Sequence, residues 1–299
     1  NKNIFFIVAF TICINLILNI IIFSVVSHAY GDIMGECAMA AFYQELGCVS
    51  KFTEDSTKCP HMFTCPDLYP DPKLCYYRGK SYTNHDMIPQ ELVLNPCSQV
   101  CACSVGSSTY FNCAAVDCVE SFENNMDQCI QTYELDSCCS TGTVCGKDDI
   151  AKLKTCEYEG KTYKEGTQFY PDKTNKVCIC SAQWNGTIDD VPYCTSINCG
   201  LEIHFQDQIM KKCAPIFLAN KPSSCPIGFE CPTNSSKQIR GMNPENIRSQ
   251  CVFGNMSLSV GDEVLVDNKC LKCTCQVPPF ATCLSIKCIK LQKNCDFYL

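Results

Sequence analysis

Cysteine is the residue type with the most chemistry to offer in this chain, which holds 30 cysteines and 4 histidines among 299 residues. A thiolate can attack a substrate, ligate a metal or exchange with a disulfide, and two thiols can be oxidised to a cystine. The spacing nearest to a metal or redox motif is "CLKC" at 270–273. Zinc could use such a pair, but in a secreted chain cystine formation takes precedence. No alternating strand and helix pattern surrounds it, as a thioredoxin-like redox pair requires. His61, His85 and His204 fall at unrelated positions along the cysteine pattern. No nucleophile with a base, no metal set and no pair of carboxylates has supporting context. The expectation is a non-enzymatic protein with no catalytic residue, no cofactor and no metal.

The compartment follows from the first residues. "NKNIFFIVAFTICINLILNIIIFSVVSHA" carries one basic residue, Lys2, then an apolar run and small residues at Ser27 and Ala29. That reads as a signal peptide, residues 1–29, cleaved after Ala29. The alternative is a signal anchor, since Ile4 to Val26 is long enough to span a bilayer; Asn15 and Asn19 interrupt the run and favour cleavage. The mature chain is then secreted and extracellular, with no membrane attachment. It keeps 29 cysteines and a net charge of −8, from 23 basic and 31 acidic side chains. The acidic balance, with three arginines at 78, 240 and 248, speaks against nucleic acid or heparin as the main partner. The C-terminal Lys269, Lys272, Lys287, Lys290 and Lys293 read as a solvated face.

Cysteines spread from 37 to 295 imply several small stapled modules rather than one large core. A repeat is visible in their spacing. The frame Cys-x-x-(Val/Ile)-x-Cys occurs at 113–118, 194–199 and 283–288, separated by 81 and 89 residues. Each copy opens with a cysteine at 75, 156 or 251, an aromatic two residues on (Tyr77, Tyr158, Phe253), and a turn former four on (Gly79, Gly160, Asn255). A Cys-x-Cys pair follows at 101 and 103, 178 and 180, and 273 and 275. A closing frame of two cysteines six apart occurs at 59–65, 139–145 and 225–231. The expected fold is small, disulfide-rich and mainly β, of short antiparallel strands with little hydrophobic core. Its parts are a back-half unit at 30–70, repeats at 71–150 and 151–232, a flexible linker at 233–250, and a front-half repeat at 251–299. Val116, Ile197 and Ile286 are expected to be buried at the joint between the halves.

In combination, "CxYxG", Cys-x-Cys, the five-step frame and the double cysteine Cys138-Cys139 resemble the von Willebrand factor type C module of chordin-like and kielin-like secreted proteins, and its arthropod single-domain form with eight cysteines. The resemblance covers about residues 37–295. It implies the pairs Cys37–Cys59, Cys48–Cys65, Cys75–Cys103, Cys97–Cys138, Cys101–Cys113, Cys118–Cys139 and Cys129–Cys145. In the second copy it implies Cys156–Cys180, Cys178–Cys194, Cys199–Cys225 and Cys213–Cys231, and in the third Cys251–Cys275 and Cys273–Cys283. The second copy lacks the counterparts of Cys97 and Cys138, which are partners in that scheme, so one whole bridge is missing. Cys270, Cys288 and Cys295 are left over: one thiol is free, or joins another chain in a disulfide-linked dimer, or the sequence is a piece of a longer one.

The resemblance further implies an extracellular protein partner, either a growth factor of the bone-morphogenetic type or a target of an arthropod defence, salivary or venom factor. Two alternatives stand beside it. A protease or complement inhibitor would hold out loop 84–96 or 181–193, and a structural matrix component would use the modules as spacers. Trp184 is either a ligand-binding anchor or cover for a sheet edge. Asn185, Asn234 and Asn255 head glycosylation sequons, with Asn255 expected to be poorly accessible in its tight turn.

Overall fold

The computed structural model describes residues 37–53, 58–121, 128–172, 174–188, 192–219, 224–241, 250–268 and 270–286. The proposed leader at 1–29, Cys288 and Cys295 lie outside them.

The chain is built of short antiparallel pairs. The N-terminal unit has helix α1 (Ala40–Glu45), then β1 (Val49–Lys51) paired with β2 (Met62–Thr64). The first copy has β3 (Cys75–Tyr77) with β4 (Lys80–Tyr82), β5 (Ser98–Val105) with β6 (Thr109–Ala115), and β7 (Cys129–Thr132) with β8 (Gly142–Cys145), followed by α2 (Lys147–Lys152). The second has β9 (Thr155–Tyr158) with β10 (Lys161–Lys164), and a sheet of β11 (Gln168–Phe169), β12 (Lys176–Ile179) and β13 (Cys194–Ser196). Helices α3 (Leu201–His204) and α4 (Gln206–Met210) come next, then β14 (Ala214–Leu218) and β15 (Gly228–Glu230). The remainder is β16 (Lys237–Ile239), β17 (Gln250–Phe253), β18 (Met256–Ser259), β19 (Glu263–Leu265), β20 (Leu271–Thr274) and β21 (Thr282–Ser285).

The opening hairpins form where the turn residues accept left-handed backbone. Arg78 and Gly79 have φ of 50° and 74°, Glu159 and Gly160 of 48° and 74°. Positive φ at both central positions matches the twist of the flanking strands. In the third copy Gly254, at φ 57°, takes the place of Arg78 and Glu159, and Asn255 is exposed rather than enclosed. Gly254 is also sterically required, because a Cβ there would lie 2.5 Å from Pro232 Cγ.

Cystines act as rungs across these pairs. Cys178 faces Cys194 across β12 and β13, and Cys273 faces Cys283 across β20 and β21, with Cα separations of 4.1 and 3.9 Å. In the first two copies the five-step frame therefore begins inside a strand pair and ends beyond it.

Two features of the fold are not visible in the cysteine spacing. First, the modules share a substantial core. Phe42, Tyr43 and Phe63 of the N-terminal unit are almost fully buried against Leu201, Ile209 and Phe217 of the second copy and Phe280 of the third. Tyr43 stacks on Phe63 at 4.3 Å, donates its hydroxyl to Val277 O at 2.7 Å, and accepts Phe280 N–H at 3.0 Å. Units too small to enclose their own aromatics bury them against one another.

Second, composition assigns 233–250 to a linker, yet Lys237–Ile239 within it is a strand. It pairs with β19 and completes a six-stranded sheet of order β15-β14-β21-β20-β19-β16, in which β14 and β21 run parallel. Asp262 fastens this edge by accepting Gln238 Nε2 at 2.7 Å and the N–H groups of Gly241 and Ser259, each at 2.9 Å. Residues 242–249 lie outside the described residues.

Helices α3 and α4 are the hub of the assembly. The Gln206 side chain, fully buried, accepts Tyr76 N–H at 2.7 Å and donates to Leu74 O at 2.9 Å, while Glu202 accepts Arg78 N–H at 2.9 Å. A buried amide that satisfies a strand's donor and acceptor together fixes the first copy against the second.

Candidate functional site

The structure brings together all thirteen cysteine pairs implied by the family resemblance, from Cys37–Cys59 through Cys273–Cys283. Cys270 is disulfide-bonded as well. The other 26 described cysteines pair among themselves, so its partner falls outside the described residues. "CLKC" is accordingly not a redox pair, because Cys273 is joined to Cys283. The sulfurs of Cys118, Cys138 and Cys139 lie within 4.8 Å of one another, but each belongs to a cystine and offers no thiolate.

The joint between front and back halves has a common geometry that burial does not explain. Val116 and Ile197 are only half-buried and Ile286 is 44% exposed, contrary to expectation. What the three positions share is a backbone hydrogen bond. Val116 N–H donates to Cys97 O at 2.9 Å, Ile197 N–H to Asn175 O at 2.8 Å, and Ile286 N–H to Cys270 O at 2.8 Å. Asn175 thus stands where the first copy has Cys97. Its Nδ2 donates to Ile197 O at 2.8 Å, closing the joint without a cystine.

Trp184 is half-buried and packs within a small aromatic cluster. Its ring packs edge-on to Phe169 at 5.4 Å and to Tyr193 at 5.5 Å, and its indole N–H reaches Glu157 O at 3.4 Å. Asn185, Asn234 and Asn255 are all exposed. Asn185 Oδ1 accepts both the N–H and the hydroxyl of Thr187, at 3.0 and 2.8 Å.

Two features suited to recognition remain, and neither is signalled by the cysteine pattern. One is an apolar edge on the first copy, where Met87 is 61% and Val100 60% exposed. Met87 is bridged to Ala102 of β5, and Val100 sits in the irregularity of that strand between Gln99 and Ala102, at φ 51°. A β-branched residue in left-handed backbone is strained. Gln90 holds it there, accepting Val100 N–H at 3.1 Å and donating to Ser98 O at 3.2 Å, beside the Cys101–Cys113 bridge. Two apolar side chains are therefore presented to solvent, one of them on backbone that Gln90 clamps.

The other is a cleft of about 1030 Å³ where the N-terminal unit meets both full copies. Leu46, Leu68, Tyr69, Tyr76, Leu94, Ile188 and Ile197 line it, with Glu45, Asp67, Glu202, Arg78 and Lys176 as its charged groups. Glu45 accepts Cys199 N–H at 2.7 Å and Leu201 N–H at 2.6 Å. Burial pushes the Glu45 and Glu202 carboxyls above the usual range, against the pull of those N–H groups on Glu45 and of Arg78 N–H on Glu202. Residues 45, 69 and 202 are far apart in the chain and only tertiary folding assembles them.

No family model matches the chain, and no solved structure does. Over 70 residues, 23% of its length, the chain is 33% identical to chordin of Xenopus laevis, and the match spans 7% of that protein. This likeness and the cystine pattern fit a cysteine-rich protein of the von Willebrand factor type C kind.

Proposed function

We propose that this chain is a secreted, non-enzymatic binding protein of tandem type C-like modules, and that it captures an extracellular growth factor of the bone-morphogenetic type. The observation that carries the reading is the identity with chordin in a chain whose described cysteines are all committed to disulfides. Such bridges belong to an oxidising, extracellular setting. Among the described residues no helix is long and apolar enough to cross a membrane. The contact surface in this reading is the Met87 and Val100 edge, since exposed apolar side chains on a preorganised backbone lose little entropy on binding. The sequons at Asn185, Asn234 and Asn255 carry glycans, on exposed positions clear of that edge in sequence.

The test is surface-immobilised chain exposed to a bone-morphogenetic-type growth factor. Saturable binding is expected, weakened about tenfold or more by Met87→Glu with Val100→Glu. Absence of binding at micromolar growth factor overturns the reading. A serine-protease panel run in parallel identifies the inhibitor alternative if proteolysis is blocked instead.

A further inference from the structure

The edge around Met87 and Val100 holds a side chain that can still be modified. Every described cysteine is bound in a disulfide, so no described thiolate stands ready to take up an oxidant. After the thiolate, the sulfur group open to oxidation is the methionine thioether, and how readily it reacts follows how far it meets solvent. Five methionines lie among the described residues, and burial separates them. Met39 is 2% exposed in the aromatic core, and Met62, Met210 and Met256 are half-buried, with Met210 packed against that core and Met256 against the one around Phe253. Met87 alone of the five is exposed, at 61%.

The fold keeps this side chain outward. Residues 85–88 run along the edge of β5: His85 N–H donates to Cys103 O and Cys103 N–H to Asp86 O, each at 2.8 Å, Ile88 N–H donates to Cys101 O at 2.9 Å, and Met87 is bridged antiparallel to Ala102. Asp86 closes the turn ahead of them, its carboxylate accepting the Thr83 N–H and hydroxyl, each at 2.7 Å. Successive side chains of an extended segment point to opposite faces. Ile88 takes the inward face, 3% exposed, and joins the core with Tyr77 and Phe111. A flip that buried Met87 would therefore turn Ile88 out to solvent, so the thioether has no local retreat.

We propose that Met87 is an oxidation site of this chain and that its sulfoxide turns the apolar edge polar. The oxidant is a peroxide. A sulfur lone pair attacks one peroxide oxygen, and the S–O bond forms as the O–O bond breaks. The departing hydroxide takes the proton of the transferred oxygen and leaves as water; the sulfur is oxidised by two electrons and the peroxide reduced by two. The product carries an acceptor oxygen where the thioether offered apolar contact. Pressed into an interface without a donor, that oxygen opposes binding. The oxidation itself needs no partner, and its effect on capture rests on the growth-factor reading above.

The experiment treats the full chain with millimolar hydrogen peroxide and follows the gain of about 16 Da on each methionine by peptide mass mapping. Met87 is expected to be oxidised ahead of Met39, Met62, Met210 and Met256. The oxidised chain should then elute earlier from a hydrophobic-interaction column and bind the bone-morphogenetic-type growth factor about fivefold more weakly or worse. Met87→Leu keeps an apolar side chain of similar volume without the thioether, and peroxide should change neither its retention nor its affinity relative to the same variant untreated. Oxidation of another of the five ahead of Met87, unchanged retention of the oxidised chain, an equal loss of retention in Met87→Leu, or unchanged affinity in a binding chain fully oxidised at Met87 overturns the proposal. An untreated chain that binds no growth factor overturns the capture reading alone, because mapping and column need no partner.

Discussion

The joints of the first and second copies do the same work by different means. In the first, Cys97 closes onto Cys138 across 41 residues. In the second, Asn175 occupies the corresponding place, and Ser224, just before Cys225, stands where Cys138 would be. The joint is held instead by the Asn175 amide on Ile197 O and, from outside the repeat, by Glu45 on Cys199 and Leu201 N–H. A covalent bridge lets a joint stand alone, because it restricts the unfolded chain whatever surrounds it. Hydrogen bonds hold only while their partners stay buried and aligned, so the second joint depends on the docked N-terminal unit. Loss of the bridge and gain of a tertiary contact thus go together at one place.

The largest expected effect comes from opening the covalent joint. Cys97→Ser with Cys138→Ser should lower stability by about 4 kcal/mol, the loop-closure value for this separation. Denaturant unfolding checks it, and a loss near zero would mean that the first joint is also held by its surroundings.

The converse variant, Asn175→Cys with Ser224→Cys, should form a fourteenth bridge within the described residues and add about 2 kcal/mol, less than loop closure alone predicts because inserted cystines distort their surroundings. Mass-spectrometric mapping reads the bridge; failure to form it under oxidising conditions breaks the correspondence of the two joints. Asn175→Ala alone should cost about 1–2 kcal/mol through the unpaired Ile197 carbonyl.

The smallest effect is the part of the pH dependence that belongs to the second joint, read as the difference between the chain and its Glu45→Gln variant. Burial raises the Glu45 carboxyl above its ordinary value of 4.5, opposed by the Leu201 and Cys199 N–H groups and assisted by Glu202. A folded-state pKa above the unfolded one means that this group's stabilising share is full below the unfolded value and is lost as pH rises through the folded value. Thermal unfolding between about pH 5 and about pH 7 should show a fall in Tm that is shallower in Glu45→Gln. Asp262 does not interfere in that window. Burial raises its carboxyl, but the hydrogen bonds from Gly241, Gln238 and Ser259 hold it below 3.8 on balance, so its share is lost only at lower pH. An unchanged slope in Glu45→Gln would remove Glu45 from the comparison.

Much of the local architecture was legible in the cysteines. Their spacing carries strand pairs, because a cystine needs Cα atoms a few ångströms apart, and the variable distances beside each Cys-x-Cys mark loops. The packing of Trp184 was not legible from its neighbours alone, since Phe169 and Tyr193 approach it through the fold. The strand at 237–239 was invisible because its polar composition resembles a linker, and the partner edge on β19 lies more than twenty residues away. Val100 gave no signal either, for its strain comes from a bulge and from the Gln90 clamp rather than from its neighbours in sequence.

By itself the amino-acid sequence determined the recurring cysteine frames and the places where strands must be bridged, since these depend on residue type and short spacing. The tertiary structure alone decided that the half-units share an aromatic core around Tyr43 and Phe280, and that Glu45, Tyr69 and Glu202 meet at one cleft. Burial and charge proximity depend on which surfaces finally touch, and no spacing along the chain encodes that.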